Sequence, residues 1–253
     1  MGRRGARLAV TSGACDAVRP RKQMNEEHSS FAAWLIGSMR QMPGVRKESK
    51  GFSVMVMPAN HSSPVVHWIA GAYPGKIGWL VGPSAKSKTK LQKWMPFALD
   101  NDAFSAWNKN QPWDEDAWME LLTWVRLTRM KPLWAIVPDC VGNRQKTLEM
   151  WKRYSPVVKR IGWPTAFAVQ DGMVEADVPP DADVVFVGGT TEWKWKTAKM
   201  WCSSFKRVHV GRVNSLERLW KCEDFGAQSV DGTGWFRDPS DQSKINILLE
   251  WVN

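Results

Sequence analysis

Eight short apolar runs, rich in β-branched residues and each closed by turn-forming residues, constrain this chain more than any other feature. They are FSVMVM (from Phe52), GWLVG (from Gly78), FALD (from Phe97), WAIVPD (from Trp134), TAFAVQ (from Thr165), DVVFVGG (from Asp183), RVHVG (from Arg207) and QSVDG (from Gln228). The runs are continuous rather than alternating, the pattern of parallel strands buried on both faces. Amphipathic segments lie between most of them. DEDAWMELLTWVRLTR carries acids at its start and Arg at its end, matching the helix dipole. TLEMWKRYSPVVKR, TEWKWKTAKMWCSSF, NSLERLWKCEDF and DPSDQSKINILLEW also read as helices, the last opening on an Asp-Pro pair suited to N-cap and N1. Strands alternating with helices at this count predict an α/β fold, a (β/α)8 barrel. An open doubly wound sheet is the alternative, but no G-x-G-x-x-G follows the first strand.

With 253 residues, 43% of them hydrophobic, the chain suits one large domain, expected over 25–253, behind a basic flexible leader at 1–24. The stretch 59–93, rich in Gly, Pro, Ser and Lys, reads as a mobile loop or small insertion near the active face. Cys15, Cys140, Cys202 and Cys222 are scattered without a C-x-x-C pair, so neither a zinc site nor a disulfide framework is encoded. A reduced, cytoplasmic protein is expected. No apolar stretch approaches the ~20 residues needed to span a bilayer, and no apolar segment follows the basic N-terminus to make a secretory signal. A formal charge of +10 and 17 Trp beside 2 Tyr point to a polyanionic partner with bases to stack on, hence nucleic acid rather than membrane.

In a barrel of this type the carboxyl ends of the strands build the active site. Asp100 ends FALD, Asp139 ends WAIVPD, Gln170 ends TAFAVQ, Gly188 and Gly189 end DVVFVGG, and Asp231 ends QSVDG. Singly, an Asp in such a place is a helix cap and a Gly pair is a turn. Five strand ends sharing such residues exceed what capping requires. Two neighbouring carboxylates allow one to attack carbon while the other moves a proton, the logic of glycosidic bond cleavage. A third carboxylate, with an amide and backbone N–H groups, matches the edge of a planar heterocycle. The set favours N-glycosidic chemistry on a nucleobase.

At FALDNDAF, VPDCVG, FAVQDG, VFVGGTTEWKW, HVGRVNSLERL and GAQSVDGTG, in that order from about Met95 to Trp235, the sequence resembles the tRNA-guanine transglycosylase superfamily. The resemblance is closest to its shorter phage and bacterial branch, which exchanges guanine in DNA for a 7-deazaguanine. It implies a (β/α)8 barrel and a ping-pong reaction without cofactor. Asp231 would be the nucleophile at C1′ and Asp100 the general acid/base, with Asp102 as its neighbouring substitute. Asp139 would read the N1 and amine edge of guanine, with Gln170 and the backbone of Gly188 and Gly189 on its carbonyl. The tRNA enzymes carry a C-x-C-x-x-C and His zinc site beyond the nucleophile, whereas no Cys follows Cys222 here. The expected chain therefore lacks the zinc subdomain and binds no metal, with DNA rather than tRNA as partner and a free purine or 7-deazapurine as second substrate. DNDAF in place of D-S-G-G-F alters the surroundings of Asp100.

Lys86, Lys88, Lys90 and Lys93, with Lys194, Lys196 and Lys199 set among Trp193, Trp195 and Trp201, are the expected grip on the nucleic acid. Lysines would meet phosphates and a Trp would fill the space of a flipped base. Arg212 is placed to touch a phosphate or the intermediate. His209, inside a strand, reads as a packed core residue, and nothing near His61 or His67 completes a metal triad. Two other functions fit the same residues: a DNA glycosylase, defensive against phage, in which water resolves the intermediate, and a non-catalytic DNA-binding module. Three carboxylates facing an anionic polymer argue against the last.

Overall fold

The computed structural model describes residues 54–59, 63–88, 90–236 and 242–252. All eight runs form strands: β1 (Met55–Met57), β2 (Trp79–Val81), β3 (Phe97–Leu99), β4 (Ala135–Ile136), β5 (Thr165–Val169), β6 (Val184–Val187), β7 (Val208–Val210) and β8 (Ser229–Asp231). They pair in parallel in the order β1-β8-β7-β6-β5-β4-β3-β2. Two parallel bridges, Val56 with Ile77 and Ala59 with Leu80, join β1 to the β2 edge and bring the sheet round to a barrel. With helices between the strands, this is a (β/α)8 barrel.

Among the described residues the α-helices are α1 (Pro64–Ala72), α2 (Ala103–Asn108), α3 (Glu115–Thr128), α4 (Arg144–Ile161), α5 (Thr191–Ser204), α6 (Leu216–Phe225) and α7 (Gln242–Val252). Local chemistry fixes their ends. Asp114 caps α3 by accepting from Ala117 N at 2.9 Å, and Asn143 caps α4 by accepting from Lys146 N at 3.0 Å. Gly162 ends α4 at φ 83°, a left-handed turn that glycine takes without strain. The buried stripe of α4, Thr147, Trp151, Tyr154, Ser155 and Val158, follows helical spacing. Its Trp151 meets Phe167 of β5 edge-on at 5.3 Å.

Four expectations need revision or fall elsewhere. The stretch 59–93 is not an insertion: it holds α1, β2 and a 3-10 helix at Pro83–Lys88, a regular β/α step of the barrel. Its Gly and Pro residues mark the ends of those elements. The Asp238-Pro239 opening of α7, the leader at 1–24 and His61 lie outside the described residues. Among the described residues no helix is long and apolar enough to cross a membrane.

Inside the barrel pack Met57, Leu80, Ala98, Trp134, Ile136, Ala166, Ala168 and Val184. Alanines on β3 and β5 leave the width that Trp134 and Phe186 fill, their rings 6.0 Å apart. Trp134 also supports His209 at 4.9 Å. Trp134→Ala is expected to cost ~3–5 kcal/mol through lost transfer energy and a cavity, read as a shifted midpoint in urea unfolding.

Candidate active site

The period of two along a strand sets the site. On β8, Val230 is fully buried on the outer face, so Ser229 and Asp231 share the inner one. His209 on β7 is in register with Ser229. Its Nδ1 lies 2.8 Å from the Ser229 hydroxyl, and its Nε2 lies 3.0 Å from Asp231 Oδ1. A carboxylate only accepts, so Nε2 carries the proton and donates to it. Stacking on Phe186 at 4.7 Å fixes the imidazole plane. Oδ1 also accepts from the backbone N–H of Arg212 at 3.2 Å. A Cβ at Gly211 would come within 2.9 Å of Phe186 and 3.3 Å of Asp231 Oδ1, so a glycine there permits this approach. Both donors bind Oδ1, and Oδ2 carries no hydrogen bond among the described residues.

Asp139 is held from both sides. Asn101 Nδ2 donates to its Oδ1 at 2.7 Å, and Gln170 Nε2 donates to its Oδ2 at 2.7 Å. The orientation of each amide is set by its other end. Asn101 Oδ1 accepts from Ala103 N at 2.8 Å, while Gln170 Oε1 accepts from Gly142 N at 2.9 Å and Gly189 N at 3.1 Å. Burial pushes the Asp139 carboxyl up to about 6, against the opposing pull of the Asn101 amide and the Arg212 guanidinium.

Asp100 lies at the end of β3, with its Oδ1 accepting from Asn101 N at 2.8 Å. Burial first, then the charges of Asp102, Asp231 and Asp139, hold its carboxyl well above the usual range, and the single backbone donor does not offset them. These neighbours favour its protonated form. Asp102 stands at the N-cap position of α2 in the left-handed region at φ 57°, and its carboxylate accepts not from that helix but from Ser84 N at 2.8 Å. Arg212, itself at φ 58°, sets its guanidinium over Phe104 at 4.1 Å and donates to the carbonyl of Gly189.

These groups surround a cleft of about 520 Å³, within the range of small-molecule sites. Asp100, Asp102, Asp139, Asp231, Arg212 and Arg218 all line it. Gln170, Gly188 and Gly189 do not. Gln170 is buried behind Asp139 with both amide ends engaged, and Gly188 N donates to Val169 O at 3.1 Å. The three therefore support Asp139 rather than face the cleft. Lys194 is corrected outright: it is 1% exposed, so it cannot reach a phosphate. Lys90, Lys93, Lys196 and Lys199 are exposed, Lys196 pairing with Glu192 at 2.6 Å. Trp193 and Trp195 are half-buried, and the side chains of Lys86 and Lys88 fall outside the described ones.

The sequence reading missed Asn101, Phe104 and Arg218 at the cleft, and the bond from His209 to Asp231. Asn101 was signalled only by lying between two acids in FALDNDAF. Among the described residues, no group of three or more His, Cys, Asp or Glu is placed to hold a metal ion.

No family model matches the sequence, and no curated relative is found. Similar solved structures include the YdjI aldolase from Escherichia coli K12, at 8% identity and TM-score 0.50, over 79% of this chain and 86% of that one. A tryptophan synthase complex from Pyrococcus furiosus aligns at 12% identity and TM-score 0.47, over 79% of this chain and 96% of that one. At such identity the aldolase likeness is one of fold alone. The site's own electrostatics are testable: in carboxyl-carbon NMR, Asp139 should titrate near pH 6, and Asn101→Ala, by removing a donor to the ionised form, should move that midpoint higher.

Proposed function

We propose that the protein exchanges a base in DNA, cleaving the N-glycosidic bond of guanine and installing a 7-deazaguanine through a covalent Asp231 intermediate. One observation carries this reading: Asp139 faces the cleft with one lone-pair site on each oxygen already filled by Asn101 or Gln170. A carboxylate offers about four such sites, so each oxygen retains one. Two adjacent acceptors match two adjacent N–H donors, the N1–H and amine edge of guanine. The resemblance to the transglycosylase superfamily assigns Asp231, Asp100 and Asp139 to these roles, and all three line the cleft, whereas Gln170, Gly188 and Gly189 do not.

In the first half-reaction Asp231 Oδ2 attacks C1′, the C1′–N bond breaks, and the proton of Asp100 passes to the departing base. The sugar is then esterified to Asp231, and Asp100 is ionised. In the second, Asp100 takes the ring N–H proton of the incoming base, whose nitrogen attacks C1′ and releases the Asp231 carboxylate. His209 and Arg212 N–H bind Oδ1, so Oδ2 is the oxygen left to bond carbon. The raised Asp100 carboxyl suits an acid, and the donor-bound Asp231 suits a nucleophile. A net charge of +10 favours a polyanionic substrate. A module that only bound DNA would have no use for a protonated carboxyl beside an oriented one.

The test is to incubate the protein with DNA, with and without labelled guanine or a 7-deazaguanine. Incorporation of label without abasic sites is the expected result. Abasic sites with released base would mean that water resolves the intermediate, making the protein a glycosylase, and neither outcome would reject N-glycosidic chemistry altogether. Asp231→Asn is expected to lower base release at least ~10³-fold, with DNA binding retained in a filter assay; full turnover would reject Asp231 as nucleophile. Guanine affinity should fall as pH drops through about 6, because protonated Asp139 loses acceptor capacity, and be complete above it. Calorimetric titration across that interval reads the effect.

A further inference from the structure

Helix α5 buries Lys194, Ala198 and Trp201 on one stripe, positions where spacing calls for apolar side chains. A fully buried ammonium is costly unless something uses its charge. Lys194 Nζ donates to the carbonyl oxygen of Gly211. The other end of that same peptide unit is the Arg212 N–H, which donates to Asp231 Oδ1 at 3.2 Å. Ammonium, peptide and carboxylate are therefore joined in series. Charge at the carbonyl end draws electron density through the amide and strengthens its N–H as a donor. The glycine is part of the device, since a Cβ at Gly211 would crowd both Phe186 and Asp231.

We infer that Lys194 is a positioning residue for Asp231, acting through the Gly211–Arg212 peptide to fix and polarise the donor that holds the attacking carboxylate. This rests on the proposed role of Asp231 for its catalytic consequence, but not for the coupling itself. The groups facing the ammonium come from three elements: Arg212 after β7, Asp231 on β8, and Arg218 and Cys222 on α6, with the Trp195 ring of its own helix at 5.4 Å. Burial, then Arg212 and Arg218, lower the lysine to about 7, while Asp231 raises it.

The experiment follows the ε-ammonium by NMR in protein carrying ε-labelled lysine. One resonance absent from Lys194→Met should titrate near pH 7 in the wild type. In Asp231→Asn its midpoint should fall by about one unit, because the partner charge is gone. An unchanged midpoint would overturn the inference. In parallel, Lys194→Met should slow base release about tenfold, as expected for losing one charge-assisted contact, with free-guanine affinity unchanged. Lys194→Arg, which keeps the charge, should recover part of that loss. Wild-type rates in Lys194→Met would also overturn it. A coupled lysine in a wild-type protein that releases no base would reject the proposed function and leave the relay standing.

Discussion

Four carboxyl groups, those of Asp100, Asp102, Asp139 and Asp231, line one cleft, and the rest of the site is arranged around their repulsion. Like charges in a poorly solvated site interact far more strongly than in water, so they cannot all stay ionised without compensation. The protein resolves this unevenly. Asp100 receives a single backbone donor, and its carboxyl is held well above the usual range, towards the protonated form. Asp139 receives two side-chain amides and sits near the Arg212 guanidinium, which leaves it poised at about 6. Asp231 receives an imidazole and a backbone N–H on one oxygen. Similar side chains are thereby pushed towards different tasks by their neighbours, the arrangement acid–base chemistry needs.

That arrangement depends on strand ends being tied to one another. Gln170 does most of the tying: its carbonyl accepts from the loops after β4 and β6, and its amide donates to Asp139. Gly189 sits at φ 67° with Asp171 and Trp193 within 2.7 Å of where a Cβ would stand, so no other residue closes that corner without displacement. Gly232 packs against the Val213 carbonyl and Asn214, while Gly234 N donates to Asn214 at 2.8 Å. The glycines that follow Asp231 are thus there because the β7 and β8 loops touch.

The barrel was legible because strands buried on both faces leave continuous apolar runs, and all eight runs became strands. The helices α1 and α2 were not, since nine and six residues carry too little periodicity to stand out among Gly, Pro and Ser. Strand-end logic placed Asp100, Asp139 and Asp231 at one cleft. It put Gln170 there too, because position along a strand does not reveal whether an amide faces ligand or a neighbouring loop. Lys194 was misread through its company of Trp and Lys, although its spacing from Ala198 and Trp201, four and seven residues on, marks the buried stripe. His209 was read correctly as buried, but its bond to Asp231 depends on the pairing of β7 with β8, which no local pattern encodes.

A cleft lined by acids is an unfavourable place to bring the polyanion proposed as substrate, and the placement of cations around it would offset this. Arg212 lies over Phe104 at 4.1 Å and Arg218 over Trp195 at 5.1 Å, both at the cleft. An aromatic face positions a guanidinium without cancelling its charge, unlike the carboxylate that holds Lys196. Arg218 is not joined to an acid by any ion pair among the described residues, so its charge remains available for a phosphate. For the nucleic acid proposed as substrate, the acids would then meet only an extruded base and its sugar, while cations held on rings meet the backbone. On the proposed function, this separation would let one face hold an anionic polymer while a carboxylate is directed at its sugar carbon.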